Sequence, residues 1–325
     1  MWMPIFIRRG RGRCCEALAA HTQAEPPAPP QDVSNLQSWW DRRFRLSKSG
    51  ASMKIAVTGA TGFIGSRLMA SLGKDARAVS LRGNLKELAG VDAVVHLAGE
   101  AVSQRWTKEV REKIRSSRVE GTRRLVDALR DQRPRVLVSA SAVGYYGSRG
   151  DELLTEASSP ADDFLGGVCV EWEREALKAE EFGVRVVCMR NGLVLGKGGG
   201  LKQMLPPFKL GVGGKIGDGK QWTAWIHIAD AVGLIEFAIL SAQLRGPVNA
   251  TAPDPATNAD FTRDLAAALH RPAILPIPKF ALHLLYGRMA QIIYASQRVI
   301  PQAALRAGYH FRFPTLAGAL FDVVG

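Results

Sequence analysis

Residues 54–65 read KIAVTGATGFIG, and this stretch restricts the chain to very few architectures. Lys54 to Val57 predict a short buried strand, and glycines at 59, 62 and 65 follow it in a TGxxGxxG spacing. Gly59 permits a tight turn, Gly62 leaves bare backbone for an approaching pyrophosphate, and Gly65 lets the next helix pack closely. A helix starting there offers free N–H donors and the positive end of its dipole to an anion. Strand, glycine turn and helix in this order predict a dinucleotide-binding βαβ opening.

A second strand, Arg77 to Leu81, ends in Arg82-Gly83 with no acid beside it. An acid at that strand end would hold a ribose diol, whereas an arginine accepts a 2′-phosphate. Arg82 therefore points to NADP(H), with NADPH preferred over NADH. The next strand, DAVVHLAGE at 92–100, ends in Leu97, Ala98 and Gly99, small enough to lie beneath a cofactor. His96 lies inside this apolar strand and reads as a satisfied structural histidine.

Thr107 is placed to cap a helix, KEVREKIRSSRVEGTRRLVDALR. At 100° per residue, Val110, Ile114, Gly121, Leu125 and Leu129 form one stripe, and Arg118 lies inside it. An inward arginine needs an anionic partner, because an unpaired buried charge is costly. A structural carboxylate answers that need, and so does a cofactor phosphate or a substrate acid.

Composition narrows the function classes. The 325 residues are 46% apolar and 22% charged, as in a globular enzyme-sized domain. No apolar run approaches the roughly 18 residues of a membrane span, and Glu236 interrupts the longest, VGLIEFAIL. The four cysteines show no metal-ligand spacing, so reduced thiols and a cytoplasmic setting are expected, with no metal. The net charge of +13 lacks the aromatic interleaving of a nucleic-acid surface, and anionic cofactor and substrate account for it more simply. Residues 1–52 hold +4 of that charge and the Pro-rich EPPAPPQ. They read as a disordered extension before a start at Met53, with an organelle transit peptide as the alternative. The expected partners are a small, anionic substrate and neither membrane nor nucleic acid.

TGATGFIG and LAGE are followed by SAVGYYG and VRVVCMRNGLVLGKGGG, in that order. The chain resembles the extended short-chain dehydrogenase/reductases, the NAD(P)-dependent epimerases and dehydratases. LAGEAVSQRW, SSRVEGT, MLPPFKLGVGGKIGDGKQWTAWIHIAD and RFPTLAGALFDVVG make it similar to the atypical YfcH-like epimerase-family proteins. The resemblance implies an α/β fold, a Rossmann-type doubly wound parallel sheet over 53–250. A smaller C-terminal substrate lobe would span 251–325, with 196–224 contributing to it. It further implies that Gly59, Thr61, Gly62, Phe63, Ile64 and Gly65 line the cofactor, together with Leu97, Ala98, Gly99 and Arg118. Arg190 would approach the nicotinamide side.

The departures from the family matter most. Its chemistry uses a Tyr-x-x-x-Lys pair on one helix and a Ser or Thr on the preceding strand, which move a proton as hydride moves. Here the helix that opens DDFLGGVCVEWE carries Phe164 and Val168 at those positions. Ser141 and Tyr145 are the candidates to handle the proton instead. The path from Arg82 to Asp92 is also short, so the family's third strand is missing or contracted. The Gly-rich run 196–219 reads as a mobile substrate loop, where Lys202, Lys209 and Lys215 meet an anion. Asp230 reads as the cap of the helix after TAWIH, and Trp222 and Trp225 as pocket wall or core. An oxidoreductase or epimerase is the favoured reading, with a non-catalytic NADP(H)-binding redox sensor or scaffold as the alternative.

Overall fold

The structure, a computed structural model, describes residues 53–83 and 85–325. The extension predicted at 1–52, with Cys14 and Cys15, lies outside the described residues. Six strands form one parallel sheet: β1 Ile55–Thr58, β2 Ala76–Val79, β3 Ala93–His96, β4 Val136–Ala142, β5 Arg185–Asn191 and β6 Gly246–Ala250. Their order is β6-β5-β4-β3-β1-β2, so the direction of winding reverses between β1 and β3. Only a single 3₁₀ turn, Leu85–Leu88, separates β2 from β3. The contracted third strand is thus a real feature of the fold, and β2 is a sheet edge.

Helices cover both faces. α1 (Phe63–Leu72) follows β1, α2 (Lys108–Leu129) follows β3, and α3 (Phe164–Leu177) follows β4. Thr107 Oγ1 accepts from Val110 N at 3.2 Å, and Asp163 Oδ1 accepts from Gly166 N at 2.8 Å, capping α2 and α3 as their sequences predict. α2 and α3 pack together on one face, where Val94, Leu137, Val186 and Cys188 meet Leu125, Leu129 and Ala176. Residues two apart on a strand share a face. Ser141 and Arg190 therefore lie on the α3 side, in register with each other across β4 and β5.

A second apolar cluster joins α4 (Gly199–Lys209), α6 (Asn258–Ala268) and α8 (Leu316–Val324), through Leu201, Phe208, Phe261, Leu265 and Leu320. Between α4 and α6 the chain forms α5 (Ile228–Leu240), which packs on α1 across the sheet's other face. α7 (Lys279–Tyr286) lies between α6 and α8. Residues 199–209 are helical, which corrects the expectation of a mobile loop across 196–219: burying Leu201 and Phe208 outweighs the two prolines at 206 and 207.

The C-terminal residues are tied back to earlier parts of the chain. Arg298–Val299 pair in parallel with Leu153–Leu154. Glu156 Oε1 accepts from Asn249 N at 3.0 Å and from Ala303 N at 3.1 Å. Asp230 accepts from Arg312 N at 2.7 Å and Phe313 N at 2.8 Å. It is an anchor for the chain end and not the cap of α5; His227 Nδ1 caps that helix by accepting from Ala229 N at 3.2 Å.

Candidate functional site

At the carboxyl end of the sheet, next to the reversal between β1 and β3, the glycine turn is closed by its own backbone. Gly59 has φ +71°, and a Cβ there would lie 2.7 Å from Ala98 N and Leu97 C. The glycine turn thus rests directly on the backbone of Leu97 and Ala98, the strand end expected beneath a cofactor. A Cβ at Gly65 would strike Gly59 O, so Gly65 serves the loop's own closure more than packing against the strand. Among the described residues no side chain caps α1. Its first N–H groups, those of Phe63, Ile64 and Gly65, are left for an outside acceptor, and a helix N-terminus favours an anion there. These residues fit a dinucleotide pyrophosphate.

The Phe63 side chain has another use. Cβ atoms built at Gly196, Gly198 and Gly199 would all lie within 3 Å of its ring. The glycine run after β5 is a shelf for this aromatic ring, so Phe63 offers its N–H to the cradle while its ring packs against that run. Thr61 is exposed in the turn itself.

His96 fastens the cradle from below. It is fully buried, with Nδ1 2.7 Å from Thr58 Oγ1 and Nε2 2.9 Å from Thr122 Oγ1. Burial lowers its pKa to about 4, so it is neutral. The structural reading of this histidine holds.

Arg118 reaches the same strand exits. Its guanidinium carbon is 3.4 Å from the position of a Cβ at Gly99, and Nη1 donates to the carbonyls of Glu100 at 3.0 Å and Ile114 at 3.1 Å. It lies 5.2 Å from the Trp172 ring. Burial lowers its pKa, and among the described residues no carboxylate hydrogen-bonds to it. Nε and Nη2 remain without a hydrogen bond among the described residues. Arg82 is exposed in the turn after β2.

The proton candidates fare differently. Ser141 is 3% exposed, and its hydroxyl donates to Glu173 Oε1 at 2.6 Å beneath α3. The residue expected to handle the proton thus gives its hydroxyl to an internal carboxylate. Arg190, which the resemblance turned toward a nicotinamide, is 2% exposed and donates through Nε and Nη2 to both oxygens of Glu173, each at 2.8 Å. Burial alone would lower the Arg190 pKa, but the Glu173 hydrogen bonds and charge reverse that and raise it. Arg190 Nη1 donates to the Tyr146 hydroxyl at 2.9 Å, and that hydroxyl donates to Asn249 Oδ1 at 2.7 Å. Burial pushes the Tyr146 hydroxyl up to about 12. Tyr145 lies outside this chain of bonds but directly over it, its ring centre 3.4 Å from the Arg190 guanidinium carbon.

Sequence reasoning missed Glu173, the centre of this network. The signal was present: it lies four residues after Cys169 on the buried face of α3, an acid inside an apolar stripe. Phe164 is packed edge-on to Trp106 at 5.3 Å and lies under the Arg111 guanidinium at 4.3 Å, and Val168 is 3% exposed. The two positions are therefore filled by packing. Cys169 is buried, its thiol pushed up to about 12 by burial. Trp225 is core, while Trp222 is half-buried and donates to Asp151 Oδ1 at 2.8 Å. Lys202, Lys209 and Lys215 are exposed. No cluster of metal-ligating side chains occurs among the described residues.

Residues 55–250 match the NAD dependent epimerase/dehydratase family, and residues 277–323 match a domain of unknown function, DUF1731. The chain belongs to the NAD-dependent epimerase/dehydratase family. Within it, the chain is 38% identical over 312 residues to the chloroplastic epimerase family protein SDR39U1 homolog of Arabidopsis thaliana, covering 86% of this chain and 90% of that one. The crystal structure of the human epimerase family protein SDR39U1 (isoform 2) with NADPH is similar at a TM-score of 0.77 and 35% identity, covering 84% of this chain and 99% of that one. A nucleoside-diphosphate sugar epimerase from Corynebacterium glutamicum is similar at 0.72 and 34%, over 90% of this chain and 63% of the other. The family's parallel sheet is present here, with the glycine turn at its carboxyl end.

Proposed function

We propose that the protein is an NADPH-preferring oxidoreductase or epimerase acting on a small, anionic molecule. The observation that carries this reading is the pairing of the bare glycine cradle with Arg118, whose free N–H groups adjoin the exit of β3. In this reading the N–H groups of Phe63, Ile64 and Gly65 hold the pyrophosphate, and Arg82, exposed at the end of β2, meets a 2′-phosphate. The human relative's structure with NADPH supports the same choice. A bound nicotinamide supplies the hydride chemistry. Arg118 binds an acid of the substrate or a cofactor phosphate, and Tyr145 is the phenol that moves the proton. Ser141 acts at one remove: through Glu173 it fixes Arg190 beneath the Tyr145 ring.

The packing of Phe164 against Trp106 and Arg111 favours a second reading, a non-catalytic NADP(H)-binding sensor or scaffold. Loss of general acid–base catalysis typically costs about 10²–10⁴-fold, which leaves room for turnover. Fluorescence titration separates the cofactors, with NADPH expected to bind about tenfold or more tightly than NADH. A substrate screen that follows NADPH loss then distinguishes enzyme from sensor. Failure to bind either nucleotide refutes both readings. Tyr145→Phe turning over at the full rate removes Tyr145 from the mechanism.

A further inference from the structure

Helix α7 is docked with its apolar face outward. Surface helices ordinarily turn that stripe to the core and their charged face to water. Of its eight residues only Leu282 is buried, in a small cluster with Ile216 and Ala290. Phe280 is 73% exposed, Leu284 78% and Leu285 66%. Its polar side chains bend back onto the protein: Lys279 Nζ lies 5.6 Å from the Tyr294 ring centre, and His283 Nε2 shares a 2.6 Å hydrogen bond with the Tyr294 hydroxyl.

The apolar exposure continues into two flanking segments, at Ile274 and Leu275 and at Leu210 and Val212. Backbone bonds stitch these segments together: Gly217 N donates to Ile277 O at 2.9 Å, and Ile277 N to Lys215 O at 2.8 Å. Arg271 Nε adds a 3.3 Å bond to Lys209 O. Exposed apolar surface of this extent marks a site of contact.

Charge selects the occupant. Residues 271–288 carry Arg271, Lys279 and Arg288, all exposed, and no acid. Residues 209–220 add Lys209, Lys215 and Lys220 against Asp218 alone. A second copy of the chain would bring two cationic faces together. An apolar protein groove would leave the cations unanswered. A bilayer with anionic headgroups answers both features at once, with an acyl boundary for the apolar side chains and phosphates for the basic ones.

We propose that α7 and its two flanking segments form a surface that docks on one leaflet of an anionic membrane. Phe280, Leu284 and Leu285 enter the headgroup–acyl boundary, and the surrounding Lys and Arg side chains reach the headgroups. Among the described residues no helix is long and apolar enough to cross a membrane, so the contact is one of lying on the surface. The sequence expectation of no membrane partner came from the shortness of apolar runs, which bears on spanning and not on docking.

Co-sedimentation of the full chain with large vesicles tests this. One set is pure phosphatidylcholine, and the other contains about 30% phosphatidylglycerol, both at about 0.1 M salt. The protein is expected to pellet with the anionic vesicles at least about tenfold more than with the neutral ones, and less so as salt rises. Phe280→Glu with Leu284→Glu is expected to abolish pelleting while leaving far-ultraviolet circular dichroism and the thermal midpoint unchanged. Should that pair not fold, Arg271→Gln with Lys279→Gln and Arg288→Gln is expected to weaken binding and flatten its salt dependence. Wild type remaining in the supernatant with both lipids overturns the proposal. So does full binding by a folded double variant, which would assign the contact elsewhere in the chain. A dimer dissolved by the same substitutions, without vesicle binding, gives the surface to a second copy and also overturns it.

Discussion

Protonation of His96 should loosen the phosphate cradle and the whole fold together. The imidazole is fully buried between the hydroxyls of Thr58, at the end of β1, and Thr122, on α2. Its pKa falls from the ordinary 6.5 to about 4 because burial penalises the cation. A depressed histidine pKa contributes stability that is present above 6.5 and is lost as pH falls towards the folded value. The two pKa values differ by about 2.5, and at 1.36 kcal/mol per unit the complete loss is about 3 kcal/mol. Between pH 7 and pH 5 about 2 kcal/mol of it should disappear. Asp230 acts in the opposite sense: burial raises its carboxyl from the ordinary 3.8 to about 6, so its contribution grows as pH falls through that window. Wild type alone would mix the two effects. Urea unfolding of wild type and His96→Asn at both pH values isolates the histidine, because Asp230 is common to both proteins. Wild type should lose about 2 kcal/mol more than the variant over this interval. Equal pH dependence in the two proteins refutes the argument.

Further consequences are open to measurement. Gly59→Ala forces a side chain to φ +71° and into Ala98 and Leu97; it should cost about 1–3 kcal/mol in urea unfolding and abolish NADPH binding by fluorescence. Glu173→Ala leaves the buried Arg190 without its partner and should lower stability by about 3–5 kcal/mol, whereas Glu173→Met with Arg190→Met should recover much of the loss. Calorimetric thermal midpoints of the single and double variants decide this. Arg82→Ala should weaken NADPH binding and leave NADH affinity unchanged, narrowing the preference by about tenfold in paired titrations. Cys169 and Cys188 are buried, with both thiol pKa values raised by burial; peptide mass spectrometry should find them alkylated by iodoacetamide only when the protein is unfolded.

The sheet and its cofactor turn were legible because backbone geometry wrote them into the sequence. Only glycine tolerates the positive φ and close contacts at Gly59, so the spacing carried nearly the whole loop. The contracted link after Arg82 was legible from length alone. His96 was read correctly because an imidazole inside an apolar strand must find hydroxyl partners. The partner of Ser141 and Arg190 was not legible, because a strand period says that they share a face but not what covers it. That depended on Glu173, which lies more than thirty residues beyond Ser141 in the chain. Phe63 was assigned to the cofactor by its motif, and only the folded chain brings Gly196, Gly198 and Gly199 around its ring. Asp230 looked like a cap because local sequence precedes its helix. Its partners, Arg312 and Phe313, arrive from the far end of the chain, where no local pattern reaches.

That late arrival has a consequence for how the protein is made. Glu156 waits for Ala303, Asp230 waits for Arg312 and Phe313, and Leu153–Leu154 waits for Arg298–Val299. During synthesis all six sheet strands leave the ribosome well before these last partners do. A nascent chain that has emerged to about residue 270 would carry a paired sheet with buried acceptors still unmet and the face of α6 that α8 covers exposed. Genetic fusions that hold the C-terminus at the exit tunnel should therefore yield aggregation-prone, protease-sensitive chains, and release of the last residues should convert them to the native state in one cooperative step.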